Sequence, residues 1–165
     1  MPFLYYNPPN TNHFSLLDYY GSNVIDATIH GRTSSENVFT FIWHCQTAQH
    51  YQYGVIPHDS YGYYGMPYCW THNAYMYSWG TSGSQVFLGW VGGSPQFETT
   101  AEGSYNYAHV AYLFWYCVCN GAQVDEALNT IAQTVFGDAS YLQCAQLKDK
   151  LVVYGNRDLT LPAEW

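Results

Sequence analysis

An apolar run of strand length is the feature that most constrains how this chain can fold. Residues 38–45 read VFTFIWHC, an almost unbroken series of β-branched and aromatic side chains, and residues 84–93 form a second run, SQVFLGWVGG. Runs of this kind predict strands buried on both faces, as in a parallel sheet covered by helices. The segments NVIDATIHG at 23–31 and KLVVYGN at 150–156 predict two further strands.

Two helices are predicted between these strands. Residues 105–119 are apolar on nearly every side, which predicts a helix that is buried or lies at an interface, with Ser104 as its cap and Asn120 at its end. In residues 123–136 the apolar side chains recur with helical spacing along one face. We therefore expect a second helix that packs one side against a core.

Strands that alternate with helices indicate one α/β domain. The expected architecture is a three-layer sandwich, with a mainly parallel sheet flanked by helices, over residues 22–165. A short helical piece is expected at 141–147. Residues 1–21 are polar and rich in Asn and Pro, and they are expected to form an N-terminal loop or extension.

Charge and composition exclude two classes of partner. The chain has 165 residues and a net charge of −8, so it lacks the basic surface that nucleic acid binding requires. No apolar run reaches the ~20 residues of a membrane span. Aromatic residues make up 19% of the chain and charged residues only 10%, a balance that favours an extracellular or cell-surface protein.

His30 and Cys45 come at the ends of two consecutive predicted strands. Catalytic sites of open parallel sheets form where strands end, so two adjacent strands would bring this imidazole and thiol together. A thiol is a weak nucleophile until a base activates it, and Gly31 leaves room for a substrate beside a backbone N–H. The alternative interpretation is a buried structural cysteine, the commoner role in an apolar strand.

Three segments carry a resemblance to a known family. They are WHCQTA at 43–48, FLGWVGGSP at 87–95 and VYGNRDLTLP at 153–162. In this order, after the His-Gly pair at 30–31, they resemble the nucleophile segment, the following Gly-containing strand and the closing segment of caspase–hemoglobinase fold cysteine peptidases. The resemblance covers residues 22–162 and points to gingipain-like and CHAT-type members.

The resemblance implies a caspase-like fold and a Cys–His dyad, in which Cys45 is the nucleophile and His30 the general base or acid. It implies an oxyanion site formed by Gly31 and the backbone of Cys45. Substrate-binding roles are implied for His44, Trp90 and Gly92.

The predicted function is hydrolysis of peptide bonds in a peptide or protein substrate, without a cofactor. The alternative is a non-catalytic extracellular surface, filament or assembly protein with aromatic-rich interfaces on the same fold. Only loop-like residues precede residue 22, so the N-terminal strands of the full fold are expected to be missing. Three explanations follow: the chain is a fragment, a partner segment completes the sheet, or the enzyme has decayed. The aromatic-rich surfaces also favour a homo-oligomer.

Five cysteines leave an odd thiol, so at least one is expected to be free or paired outside the chain. Cys117 and Cys119 point to nearly opposite sides of a helix and cannot bridge each other. Core packing is the expected role of one of them, and the alternative is a disulfide to Cys144 or Cys69 in an oxidising compartment. Cys69 and His72 have the spacing of half a zinc site, but no second close pair follows. No metal is predicted.

Overall fold

The computed structural model describes residues 4–7, 11–17, 22–48, 66–72, 79–80 and 83–162. In chain order these residues form strands β1 (Leu4–Asn7), β2 (Thr11–Leu17) and β3 (Asn23–Ile25), helix α1 (Asp26–His30), strand β4 (Phe39–Ile42), helix α2 (Met66–Thr71), strands β5 (Trp79–Gly80), β6 (Val86–Trp90), β7 (Thr100–Glu102) and β8 (Tyr105–Asn106), helices α3 (Tyr107–Cys119) and α4 (Val124–Ile131), a π-helical turn (Ala132–Phe136) and strand β9 (Leu151–Asn156).

The largest sheet has four strands in the order β4-β6-β9-β5. Strand β6 is central and all five of its residues are buried, which confirms the predicted strand in residues 84–93. Strand β4 lies at one end of this sheet, and Thr40 is its only buried residue. The prediction that residues 38–45 form a strand buried on both faces is therefore wrong, because the strand is shorter and pairs with one described neighbour.

The prediction of a three-layer sandwich with a mainly parallel sheet is also wrong. Strand β4 runs parallel to β6, but β6 and β9 are antiparallel, and two smaller antiparallel sheets, β1-β2-β3 and β7-β8, accompany this mixed sheet. The antiparallel pairing results from the path of the chain between β6 and β9. Helices α3 and α4 return the chain to the end of β6, where Leu151 pairs with Trp90, so β9 must run backwards along β6.

The N-terminal residues also differ from expectation. Residues 4–7 and 11–17, expected as loop, are strands of the three-stranded sheet. Of the strand predicted at 23–31, only β3 is extended, and it pairs with β2 rather than with β4. The rest forms helix α1, whose Ile29 side chain is buried in the core.

Helices α3 and α4 confirm the predicted helices. Helix α3 is capped by the Asn106 side chain, which accepts the His109 N–H, rather than by Ser104, and it ends at Asn120 as predicted. Helix α4 starts with a capping box and continues into the π-helical turn, which Gly137 ends at φ 74°. The helix predicted at 141–147 is a series of turns.

Core residues lie on both faces of the four-stranded sheet. Alternate residues of β6 and β9 belong to two apolar clusters, as the pleat requires. One cluster joins the sheet to α3 and α4, through side chains that include Val86, Leu88, Val110, Phe114, Leu128, Ile131 and Val153. The other joins it to α1 and α2, through Ile29, Met66, Cys69, Phe87 and Tyr154. Among the helices that the structure describes, none has the length and apolar character needed to cross a bilayer.

Candidate functional site

Two loops meet at the carboxyl end of the parallel pair β4–β6. Residues 43–48 follow β4, and residues 91–95 follow β6. The Gln46 N–H donates to the Gly92 carbonyl at 2.7 Å, and the Trp43 indole N–H donates to the Pro95 carbonyl at 2.9 Å. These hydrogen bonds hold the two loops together at the sheet edge where α/β proteins commonly place their sites.

Gly89 allows the first loop to lie directly against β6. A Cβ at this position would stand 2.7 Å from Thr47 Oγ1 and 3.0 Å from the Ala48 backbone nitrogen. The buried Thr47 hydroxyl donates to the His44 carbonyl at 2.9 Å and accepts the Trp90 N–H at 3.2 Å. The loop is thus fixed to the strand through a contact that only glycine permits.

The thiol of Cys45 lies between the two loops. The Ser94 N–H donates to Cys45 Sγ at 3.2 Å, and the Ser94 hydroxyl oxygen lies 3.4 Å from the same sulfur. Partial burial raises the pKa of this thiol, but the Ser94 hydroxyl and N–H, together with the positive amino terminus of the chain and the N–H of Cys45 itself, outweigh burial and hold the pKa below its ordinary value. Donors that converge on a sulfur favour its thiolate form.

Gln46, directly after Cys45, has a left-handed backbone with φ 61°. Residues other than glycine rarely adopt this conformation, and when they do it is most often at sites where the surrounding structure enforces it. Here the enforcing contact is the hydrogen bond from the Gln46 N–H to Gly92. The turn that presents the thiol is therefore held in a strained conformation by the second loop.

The predicted substrate-binding residues lie in or beside the same two loops. His44 Nδ1 is 3.4 Å from the Cys45 carbonyl oxygen, and burial lowers the pKa of His44. Gly92 accepts the hydrogen bond that joins the loops. Trp90 is only 1% exposed, and its ring packs edge-on against Trp43 at 4.9 Å, so its side chain is part of the core. Their substrate contacts remain predictions.

His30 lies in a different setting. It ends α1, and its ring contacts that of His72 at a centroid distance of 3.8 Å, while His72 Nε2 is 3.0 Å from Thr33 Oγ1. Because β3 pairs with β2, the argument that consecutive strands place His30 beside Cys45 is wrong. Gly31 follows α1 in an exposed turn. The catalytic role of His30 and the oxyanion role of Gly31 remain predictions.

Among the residues that the structure describes, the remaining sulfur and imidazole groups do not assemble into a ligand set. Cys69 is fully buried in α2, and none of the five cysteines forms a disulfide bond. Within the described ranges, no three side chains of the His, Cys, Asp or Glu type are placed to hold a metal ion.

Comparisons with protein-family models, with curated proteins and with solved structures found no match to this chain. Sequence reasoning missed Ser94, Thr47 and Gly89, the residues that position and polarise the thiol. The one signal for them was the glycine inside an apolar strand, followed by Gly-Gly-Ser-Pro at the strand's end.

Proposed function

We propose that this chain is a cysteine-type peptidase in which Cys45 is the nucleophile. The supporting observation is the hydrogen bond from the Ser94 N–H to Cys45 Sγ, at the carboxyl end of two parallel strands. The thiol is partly exposed, so a substrate carbonyl can approach it. A thiolate at such an edge is suited to acyl transfer.

The proposed reaction has two steps. A histidine accepts the proton of the Cys45 thiol, and the resulting thiolate attacks the peptide carbonyl carbon, whose π electrons move onto oxygen to give a tetrahedral oxyanion. Its collapse breaks the C–N bond, so the amine leaves with a proton supplied by a histidine, and a thioester forms on Cys45. Water then attacks the thioester and gives its proton back to the histidine, which releases the acid and restores the thiolate.

The oxyanion needs preorganised donors. The Cys45 N–H, which lies near its own sulfur, donates to no carbonyl among the described residues. A substrate oxygen beside the thiolate can therefore also accept it, which supports its predicted role. Gly31 is the second predicted donor. It belongs to the turn after α1, so its participation requires that a bound substrate reach both segments.

Two histidines are candidates for the proton transfers. His30 is the base that the family resemblance implies. His44 is the second candidate, since its lowered pKa keeps the imidazole neutral and able to accept a proton near pH 7. When His44 Nδ1–H donates to the Cys45 carbonyl, Nε2 carries the free lone pair that a base requires.

The surroundings favour a substrate with an apolar side chain near the bond that is cleaved. The ring of Phe97 is 48% exposed and lies 5.3 Å from that of Trp43, on the segment that continues from the second loop. An exposed aromatic ring near a nucleophile can bind an apolar side chain of a peptide. The net charge of −8 disfavours acidic substrates.

The test is cleavage of a diverse peptide library, with products identified by mass spectrometry. We expect cleavage by the wild type and by the control Cys119→Ala, which alters an exposed thiol on α3, and none by Cys45→Ala. His30→Ala and His44→Ala identify the base, because only the variant lacking it loses turnover. Equal cleavage by Cys45→Ala, or no cleavage by the wild type, would overturn the proposal.

The second candidate function, a non-catalytic surface or assembly protein, is favoured by the exposed aromatic side chains of α3, among them Tyr112 and Tyr116. This second function predicts that Cys45→Ala leaves the oligomeric or filamentous state of the protein unchanged. The extracellular or cell-surface location remains a prediction from composition.

A further inference from the structure

Ser94 brings two hydrogen-bonding groups to the Cys45 thiol. Its backbone N–H donates to Cys45 Sγ at 3.2 Å, and its hydroxyl oxygen lies 3.4 Å from the same sulfur. When the sulfur is a thiolate it has no proton to give, so the hydroxyl is then the donor of this pair. A substrate carbonyl carbon that bonds to the sulfur therefore comes to lie beside two donors of one residue.

The negative charge moves only a short way in the proposed reaction. When the Cys45 thiolate bonds to a carbonyl carbon, the sulfur loses its charge and the oxygen on that same carbon gains it. The two Ser94 donors stabilise the charge on sulfur before this step. After it, they lie next to the oxygen that carries the charge, where donors of this kind lower the energy of the transition state.

Ser94 is held on both sides by the loop that carries the thiol. The Gly92 carbonyl accepts the Gln46 N–H at 2.7 Å, and the Pro95 carbonyl accepts the Trp43 indole N–H at 2.9 Å. A residue before proline is also restricted to extended backbone conformations, which limits how the Ser94 N–H can turn. The donors therefore need little reorganisation when the charge develops, which is what makes such donors effective.

The two loops carry no negative charge of their own. Residues 43–48 and 91–95 contain neither Asp nor Glu, although the chain as a whole has a net charge of −8. An oxyanion beside Cys45 therefore meets no repelling carboxylate from either loop.

The segment that contains Gly31 is bonded to the other end of β6. The side-chain amide of Gln85, directly before β6, donates to the carbonyls of Ser35 and Asn37 in this segment. Ser94 comes after the last residue of β6, and the five residues of the strand span about 16 Å at about 3.3 Å each. Ser94 is therefore the residue that the sheet brings to the thiol.

We propose that Ser94 forms the oxyanion site beside Cys45, with its hydroxyl and its backbone N–H as donors together with the N–H of Cys45. Ser94 thus takes the role that the family resemblance gives to Gly31. The hydroxyl donates a hydrogen bond and keeps its proton, so the balance of the two reaction steps is unchanged. This inference rests on the proposed function, because it names the group that stabilises the intermediate of that reaction.

A peptide aldehyde separates this role from activation of the thiol. Cys45 adds to the carbonyl carbon of N-acetyl-phenylalaninal to give a hemithioacetal, whose oxygen lies where the oxyanion forms. Iodoacetamide alkylates the same sulfur by displacing iodide, and no oxyanion develops. The aldehyde concentration that halves the rate of Cys45 alkylation, read by peptide mass spectrometry, therefore reports binding at the oxyanion site. All variants are compared at one pH, at which the alkylation rate of each has reached its plateau.

Ser94→Ala removes the hydroxyl and keeps the N–H. We expect the half-protecting aldehyde concentration to rise about tenfold or more, the effect of losing one hydrogen bond to a charged group. The plateau rate of alkylation should stay close to that of the wild type. Ser94→Thr restores a hydroxyl and should recover most of the protection. The matched control Ser104→Ala removes an exposed hydroxyl between β7 and β8 and should bind the aldehyde as the wild type does.

Equal protection of the wild type and Ser94→Ala would overturn the proposal, as would a wild type that the aldehyde does not protect. A fall in the plateau alkylation rate of Ser94→Ala as large as its loss of protection would also overturn it, because the substitution would then disturb the thiol in general. Circular dichroism melts check that each variant is folded.

The cleavage assay distinguishes failure of this inference from failure of the proposed function. With a peptide that the wild type cleaves, we expect Ser94→Ala to lower kcat about 100-fold at the plateau pH and to leave KM unchanged. Cleavage with an unchanged kcat would refute the role of Ser94 alone. Absence of cleavage by the wild type, with the expected aldehyde result, would refute the peptidase activity and support the oxyanion site.

Discussion

Replacement of Gly89 by alanine tests how the thiol loop is held against the sheet. The added Cβ would stand 2.7 Å from Thr47 Oγ1, about 0.7 Å short of the 3.4 Å at which ordinary contact begins. It would also meet Phe87 Cε1 at 2.9 Å and the backbone nitrogen of Ala48 at 3.0 Å. The Thr47 side chain is fully buried and held by three hydrogen bonds, so it cannot rotate away without losing them.

We expect Gly89→Ala to lower the free energy of unfolding by about 1–3 kcal/mol, the usual cost of overpacking a core. Urea denaturation followed by circular dichroism measures this change. The same displacement moves Cys45 away from Ser94, so the rate of Cys45 alkylation near neutral pH should fall as well.

Gly93→Ala is the matched control, because no atom lies within 4 Å of its added Cβ and its φ is not positive. We expect it to be neutral or to stabilise the fold by up to about 1 kcal/mol. If Gly89→Ala were as stable as this control and reacted equally fast, the loop would not depend on the close contact, and the reasoning would be refuted.

Three further substitutions have defined outcomes. Ser94→Ala should raise the pKa of Cys45 and slow its alkylation below neutral pH, because one donor to the sulfur is lost; an unchanged pH profile would contradict this. Gln46→Gly should stabilise the fold by about 1 kcal/mol, measured by urea denaturation, because glycine adopts the left-handed conformation without strain. Tyr141→Phe should cost about 1–2 kcal/mol in the same assay, since it removes the buried hydrogen bond to the Leu151 carbonyl at 2.7 Å; no loss would show that this bond contributes nothing.

Local sequence signals predicted the local elements of this fold. Helix α4 was predictable because its apolar side chains recur with the period of a helix, and β6 and β9 because they are apolar runs of strand length. The end of α3 was predictable because Asn120 and the left-handed Gly121 stop a helix. Each of these signals lies within a few residues of the element that it specifies.

Strand direction and pairing were not predictable in the same way. Whether β9 runs parallel or antiparallel to β6 depends on where α3 and α4 return the chain, and the strands' own residues do not encode this. The prediction of a mainly parallel sheet assumed that each helix crosses over between two parallel strands. A separate assumption, that two consecutive strands lie side by side, placed His30 beside Cys45, but β3 pairs with β2.

The candidate site was predictable in part. Cys45 stands out because it follows an apolar strand, but its partner Ser94 lies 49 residues away, and their contact exists only through the parallel pairing of β4 with β6. The strain at Gln46 likewise comes from its hydrogen bond to the Gly92 carbonyl, a contact between two loops. Contacts of this kind become visible only once the sheet is assembled.

The central claim is that the surroundings of Cys45, with the hydrogen bond from the Ser94 N–H, lower the pKa of its thiol and favour the thiolate form. The measurement that tests it most directly is the pH dependence of iodoacetamide alkylation, read separately for Cys45 and Cys117 by peptide mass spectrometry on the wild type. Burial raises the pKa of both thiols, but at Cys45 the Ser94 donors, the positive amino terminus and the N–H of Cys45 together outweigh it, whereas at Cys117 burial prevails. We predict that Cys45 reaches half-maximal reactivity at a lower pH than Cys117, and a midpoint for Cys45 equal to or above that of Cys117 would contradict this claim.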